Sequence, residues 1–279
     1  MLYNKKKACP PCAAAQGGQA KRQLPKGAYM GKIAISEKRI AHRGREIYGK
    51  LYLPEGRSVA AAVFSHGFNG SHADFAPFAE RLAAEGVAAF CYDFCGGSVN
   101  AGGGFPTESM TLTTELEDLL AVMDFILSGE RTHGCPLFLF GASQGGLVSA
   151  LAAARRQADV RGAALLFPAL CIPEDWRARF PSRADIPEKY ALWGMTLGKA
   201  FFEDVYELDV FAKIAAYTGP VLLMHGDADA VVPLSYSVRA RDTYARAELV
   251  LFEGEGHGFS MQGNEKVYVL FADFIRKHV

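Results

Sequence analysis

The sequence predicts an α/β protein: a mostly parallel sheet with helices on both faces, an antiparallel hairpin at its N-terminal side and a short inserted cap. Three observations predict it. From residue 59 onward, strand-length apolar runs alternate with helix-length amphipathic stretches. Those runs are apolar at nearly every position, as strands covered on both faces must be. Ahead of them, residues 32–42 and 45–53 instead alternate apolar with polar side chains across Arg43-Gly44, the pattern of a hairpin with one buried face.

Taken in order, residues 1–29 stand apart from the rest. Lys5, Lys6 and Lys7, the Cys9-Pro10-Pro11-Cys12 element, an Ala run, Gly17-Gly18 and Lys21-Arg22 read as a disordered leader. The segment lacks the continuous apolar stretch an export signal needs, and Met30 offers an alternative start. Cys9 and Cys12 have the spacing of half a metal or redox site, but no second Cys pair or nearby His completes it. Residues 30–279 form one domain. Its apolar strand runs are Val59 to Ser65, Val87 to Tyr92, Leu137 to Phe140, Gly162 to Phe167, Val221 to Met224 and Glu248 to Phe252. Helical patterns fall at about 74–85, 112–127, 144–156, 235–244 and 264–277. Residues 171 to about 213 break the rhythm with Pro173, Trp176, Phe180, Pro181, Pro187, Tyr190, Trp193, Phe201 and Phe202. This aromatic density reads as a cap inserted over the carboxyl edge of the sheet.

Composition narrows the function. Lysine plus arginine and aspartate plus glutamate each number 30, so no net field draws the chain to nucleic acid or an anionic membrane. No apolar run reaches the 18 residues or so of a membrane span. A small-molecule partner is expected, and a monomer or homodimer. The six cysteines form no disulfide framework and a chain of this length needs none, which points to reduced thiols in a cytoplasmic protein. No ligand cluster or phosphate-binding loop is apparent, so no metal or organic cofactor is expected.

The chemistry concentrates in three loops. Gly141-Ala142-Ser143-Gln144-Gly145-Gly146 lies between a strand and a helix, so Ser143 occupies a turn too tight for side chains at the flanking glycines, with its hydroxyl pushed into the open. A serine hydroxyl needs a base to take its proton. His257, in Glu255-Gly256-His257-Gly258-Phe259 after the last strand, is the candidate, whereas His42, His72, His133 and His278 read as bystanders. The imidazole needs an acid to fix its tautomer. Asp229, in His225-Gly226-Asp227-Ala228-Asp229 ahead of Val231-Val232-Pro233, has the better spacing; Asp227 reads as bracing the turn. Backbone amides must meet the developing oxyanion, and those of Gln144 and Phe68 are the candidates, Phe68 lying in His66-Gly67-Phe68-Asn69-Gly70 after an early strand. His66 reads as structural.

These residues carry a resemblance. His66-Gly67-Phe68, Tyr92-Asp93-Phe94, Gly141-x-Ser143-x-Gly145, His225-Gly226-x-x-Asp229 and Gly256-His257-Gly258 resemble the α/β-hydrolase superfamily over roughly residues 46–279, and the chain order serine, acid, histidine is the one that fold uses. His-Gly-Phe, Ser143-Gln144-Gly145-Gly146 and Leu197-Gly198 are most similar to bacterial cinnamoyl or feruloyl esterases and their serine-aminopeptidase-like relatives. The resemblance implies a serine carboxylesterase acting on small aromatic (hydroxycinnamoyl) or short-chain acyl esters, with Trp176, Tyr190 and Trp193 of the cap against the substrate. The sequence departs from the pattern at Asp93-Phe94-Cys95-Gly96-Gly97-Ser98, where many relatives carry Gly-His-Gly or Gly-Arg-Gly; Cys95 reads as a packing residue. A peptidase or amidase would use the same three side chains, but the resemblance implies a larger cap, with acids that hold a free amine, for the proline-selective peptidases of this fold, so a short aromatic cap favours an ester. A non-catalytic receptor for a small ligand is a third reading, and the intact set of three argues against it.

Overall fold

A computed structural model describes residues 31–279. The leader expected over residues 1–29, with Cys9 and Cys12, and the alternative start at Met30 lie outside the described residues. The sheet has eight strands. They are β1 (Ile33–His42), β2 (Arg45–Pro54), β3 (Ala60–Ser65), β4 (Val87–Tyr92), β5 (Leu137–Ala142), β6 (Val160–Leu166), β9 (Val221–Gly226) and β10 (Ala247–Phe252), in the spatial order β1-β2-β4-β3-β5-β6-β9-β10. The β1–β2 hairpin is antiparallel, as is the β2–β4 pair, and every other neighbour is parallel.

Two helices, α1 (Ala76–Ala84) and α8 (Met261–His278), cover one face, while α2 (Leu112–Ser128), α3 (Gln144–Arg155), α6 (Val210–Ile214) and α7 (Leu234–Thr243) cover the other. The alternation of side chains along each strand explains the two cores. Ala61 and Val63 of β3 pack with Leu119, Val122 and Leu147; Ala62 and Phe64 of the same strand pack with Leu82, Val267 and Phe271. Phe140 anchors the second core. It is fully buried, with ring centroids 5.0–5.3 Å from those of Phe64, Phe75 and Phe271. Phe140→Ala is expected to destabilise the fold by about 3–5 kcal/mol, read as a lowered denaturation midpoint in urea; a loss below about 1 kcal/mol would mean that the core closes over the gap.

Element limits follow the expected runs within a few residues, and the exceptions have local causes. The last helix begins at Met261 rather than near 264 because the Ser260 hydroxyl accepts the Gly263 amide at 3.0 Å, a side-chain cap. The stretch between β6 and β9 holds α4 (Ile172–Arg179), a 3-10 turn (Arg183–Asp185), a hairpin of β7 (Lys189–Leu192) and β8 (Met195–Gly198), α5 (Lys199–Tyr206) and then α6. Its aromatic residues build a small core of their own from Phe180, Ile186, Met195, Leu197, Phe201 and Phe202, together with Met110.

Candidate active site

The carboxyl ends of β3, β5, β6, β9 and β10 lie along one edge of the parallel sheet, and the loops leaving them meet there. β5 runs straight into α3 through Ser143, whose φ of 52° and ψ of −122° put it in backbone territory that costs a non-glycine residue about 1–3 kcal/mol. Close packing holds it there. A β-carbon on Gly141 would strike the carbonyl of Gly145, and one on Gly145 would strike the carbonyls of Ser65 and His66. The Ser143 amide donates to the Leu166 carbonyl at 3.0 Å, and its carbonyl accepts the amides of Gly146 and Ala169 at 3.0 and 2.9 Å. The elbow is therefore tied to both neighbouring strands.

Ser143, Asp229 and His257 come together. Nε2 of His257 is 2.9 Å from Oγ of Ser143, and Nδ1 is 2.8 Å from Oδ2 of Asp229. The Asp229 carboxylate is fully buried, and its other oxygen accepts the amides of Val231 and Val232 at 2.8 and 2.9 Å. Burial pushes this carboxyl up, but the two amides and His257 together outweigh it and hold the group below its ordinary value. A carboxylate facing Nδ1 fixes the proton on that nitrogen, leaving Nε2 to accept from the serine. The imidazole also packs against Phe167, with ring centroids 4.6 Å apart.

Asp227, the competing acid, accepts the Gly254 amide at 2.7 Å and braces the turn after β10. His225 is buried between Ser237 (2.7 Å) and the Val232 carbonyl (3.0 Å), and burial lowers its pKa; a neutral ring with Nε2–H donating to Val232 fits both contacts. His66 spans its own loop and the next, with Nδ1 2.7 Å from the Gly67 carbonyl and Nε2 accepting the Phe94 amide at 3.1 Å.

Gly67 stands directly beside the elbow, where a β-carbon would lie 3.2 Å from Cβ and 3.8 Å from Oγ of Ser143. Next along the loop, the Phe68 amide has no backbone acceptor among the described residues, and neither has the Gln144 amide at the start of α3. Both residues and Ser143 border one cavity of about 410 Å3. Trp176, Tyr190 and Trp193 line it as well, along with Phe201, but Phe202 is turned into the small core of the insertion. Trp193 sits at the tip of the β7–β8 hairpin, 65% exposed, with its ring edge-on to Phe68 at 5.9 Å.

The sequence reading overlooked two residues here. Asn69, at φ 57°, links three segments: its amide donates to the Gly97 carbonyl, its side chain accepts from Val99 and Ser98, and its Nδ2 donates to the Trp193 carbonyl at 3.2 Å. Glu115 of α2 is buried and accepts Nε2 of Gln144 at 2.8 Å. Its position on the stripe 112, 115, 119, 122, 126, otherwise apolar, was a legible signal. Among the described residues no group of three or more His, Cys, Asp or Glu side chains is placed to hold a metal ion, and no helix is long and apolar enough to cross a membrane.

The family model described as serine aminopeptidase, S33, matches residues 56–205, just over half of the chain, and a model of TAP-like proteins matches residues 206–278. Est1E from Butyrivibrio proteoclasticus, solved with ferulic acid bound, is 27% identical with a TM-score of 0.79 over 86% of this chain and 98% of that one. The α/β hydrolase domain-containing protein 10 from mouse shares the fold at 18% identity and a TM-score of 0.70, over 87% of this chain and 99% of that one. The AB hydrolase superfamily protein YisY of Bacillus subtilis is 32% identical over 66 residues, 24% of this chain; the match spans only a quarter of that relative's length. The chain belongs to the serine aminopeptidase, S33, family of the α/β-hydrolase superfamily, and its sheet is that of a hydrolase.

Proposed function

We propose that the chain is a serine carboxylic-ester hydrolase that acts through an acyl-enzyme on Ser143. The observation that carries this reading is the hydrogen-bonded line Ser143–His257–Asp229 at the mouth of an aromatic-walled cavity. In the first half-reaction Oγ of Ser143 attacks the ester carbonyl carbon while Nε2 of His257 takes the hydroxyl proton. On this reading the amides of Phe68 and Gln144, which have no backbone acceptor among the described residues, hold the oxyanion, each such donor being worth about 3 kcal/mol in the transition state. Collapse breaks the bond to the alcohol oxygen, which leaves with the proton from His257. Water then repeats the sequence on the acyl-serine and releases the acid. Side chains and water account for every proton.

The cavity supports the substrate class. Phe68, Trp176, Tyr190, Trp193 and Phe201 offer flat apolar faces to a planar acyl group, with the insertion acting as a cap over Ser143. The likeness to Est1E, whose structure holds ferulic acid, supports esters of hydroxycinnamic or other small aromatic acids, with short acyl esters as the simpler alternative. The S33 family description favours a second reading, in which the same three side chains cleave an aminoacyl amide. Turnover of methyl ferulate, nitrophenyl acetate and an aminoacyl naphthylamide by wild type and by Ser143→Ala separates the readings. The expected result is methyl ferulate preferred over the naphthylamide by at least about 100-fold in kcat/KM, about 2.7 kcal/mol of transition-state discrimination. Preference for the naphthylamide would transfer the proposal to a peptidase, and inactivity of the wild type on all of them would favour a receptor.

A further inference from the structure

We propose that Glu115 is a positioning residue that ties the two halves of the oxyanion hole together. The proposal rests on the esterase reading above. Its basis is geometric. On one side, Glu115 Oε2 accepts the Gln144 side-chain amide at 2.8 Å, and Gln144 supplies one of the two oxyanion donors. On the other side, a β-carbon on Gly97 would lie 2.7 Å from Phe94 Cβ and 3.2 Å from Glu115 Oε1, so the glycine admits both the Phe94 side chain and the carboxyl. The Gly97 carbonyl in turn accepts the Asn69 amide at 3.0 Å, which fixes the residue next to Phe68, the other donor. The Gly96-Gly97-Ser98 segment, where the sequence departs from its relatives, thus acquires a use: it lets an acid from α2 reach between the donor loops.

Among the described residues this carboxyl has no cation of its own. From its own helix it faces Asp118, from α5 Asp204, and from β4 the Tyr92 phenol; from α3 it meets Gln144, which also reaches Met110 Sδ at 4.0 Å. Arg45 of β2 is committed to Asp118 and Glu117 at 3.0 and 3.2 Å, and Asp204 is held by the amide and hydroxyl of Thr113. Complete burial, only partly offset by the Gln144 amide, pushes the Glu115 carboxyl up to about 8. Below that pH the neutral acid accepts from Gln144 at no charge penalty. Above it, a buried anion stands behind the donors that must stabilise a second negative charge, so the chemical step is opposed while apolar binding in the cavity is not.

The sign of the stability effect follows. Between the ordinary glutamate value and about 8, the folded chain keeps a proton that the unfolded chain releases, so this group's contribution to stability falls as pH rises through that window. Glu115→Gln keeps a neutral acceptor of the same shape and cannot ionise.

The test uses the full chain and three measurements. In kcat against pH, the wild type is expected to lose activity about tenfold per unit above pH 8, while Glu115→Gln holds its neutral-pH kcat to pH 9.5. Glu115→Ala is expected to lower kcat about tenfold or more at pH 7 with KM within twofold, because the donors lose alignment and the cavity wall stays. In urea, the midpoint of Glu115→Gln is expected to gain on that of the wild type from pH 5 to pH 8. The third measurement, the rate at which a fluorophosphonate labels Ser143, needs the serine and the donors but no ester turnover. A wild type inert to esters yet labelled would sink the esterase reading alone. Equal labelling rates in wild type and Glu115→Ala, or an alkaline fall shared by Glu115→Gln, would overturn the positioning role. If Glu115→Ala fails to fold, the Glu115→Gln profile decides.

Discussion

Ser143→Ala is expected to lower kcat on a short acyl ester by about a millionfold, to the level that binding and oxyanion contacts alone provide, about a thousand- to ten-thousandfold above water. The size follows from what is removed. Among the described residues no other hydroxyl is joined to His257, so the variant forms no acyl-enzyme and the burst of alcohol release disappears with turnover. The fold should not suffer. The strained turn is held by backbone bonds to Leu166, Gly146 and Ala169 and by the close packing at Gly141 and Gly145, none of which involves Oγ of Ser143. The checks are single-turnover kinetics, in which the burst should vanish, and the urea midpoint, which should stay within the equivalent of about 1 kcal/mol. Retention of a few per cent of the wild-type rate, with the burst intact, would remove Ser143 from the chemistry.

Why the serine was legible and other parts were not has a physical reason. Ser143, Asp229 and His257 each follow the carboxyl end of a strand, and β5, β9 and β10 announce themselves by apolar runs that end at glycine or a charged turn. A parallel sheet brings such strand ends to one edge, so residues 86 and 114 positions away from Ser143 meet it. The β7–β8 hairpin gave no such signal. Its two-residue loop, Trp193-Gly194, has positive φ at both positions, the geometry usually announced by Asn-Gly or Asp-Gly. A tryptophan in that conformation is not a turn residue by propensity; it is held by Asn69 and the edge of Phe68. Glu115 was visible as an acid on an apolar stripe, but its partner came from α3, and helix periodicity says nothing of which helix packs across. Local pattern therefore located what each element carries, and tertiary packing decided what the cavity's rim and floor are made of.

Asp229→Asn is expected to cost about ten-thousandfold in kcat, some 5.5 kcal/mol, while Asp227→Asn costs less than about threefold. The asymmetry comes from the amides of Val231 and Val232. Both donate to Oδ1 of Asp229, so in the asparagine variant the side-chain oxygen must stay at that position and the NH2 group takes the place of Oδ2, facing His257. Two donors cannot face each other, so Nδ1 of the imidazole must give up its proton and Nε2 must carry one. That nitrogen, 2.9 Å from Ser143 Oγ, can then donate to the serine but cannot accept from it. The geometry survives and the tautomer is wrong. Asp227 offers no such leverage: it accepts a single amide, that of Gly254, which an asparagine oxygen accepts equally well. Comparison of kcat for the two variants on one ester is the measurement, and similar losses would show that the buried acid does not set the imidazole's proton. Replacing the Val231 and Val232 amides is not open to side-chain mutation, so the tautomer itself is the finer check: 15N shifts of His257 in Asp229→Asn should report the proton on Nε2, where the wild type carries it on Nδ1.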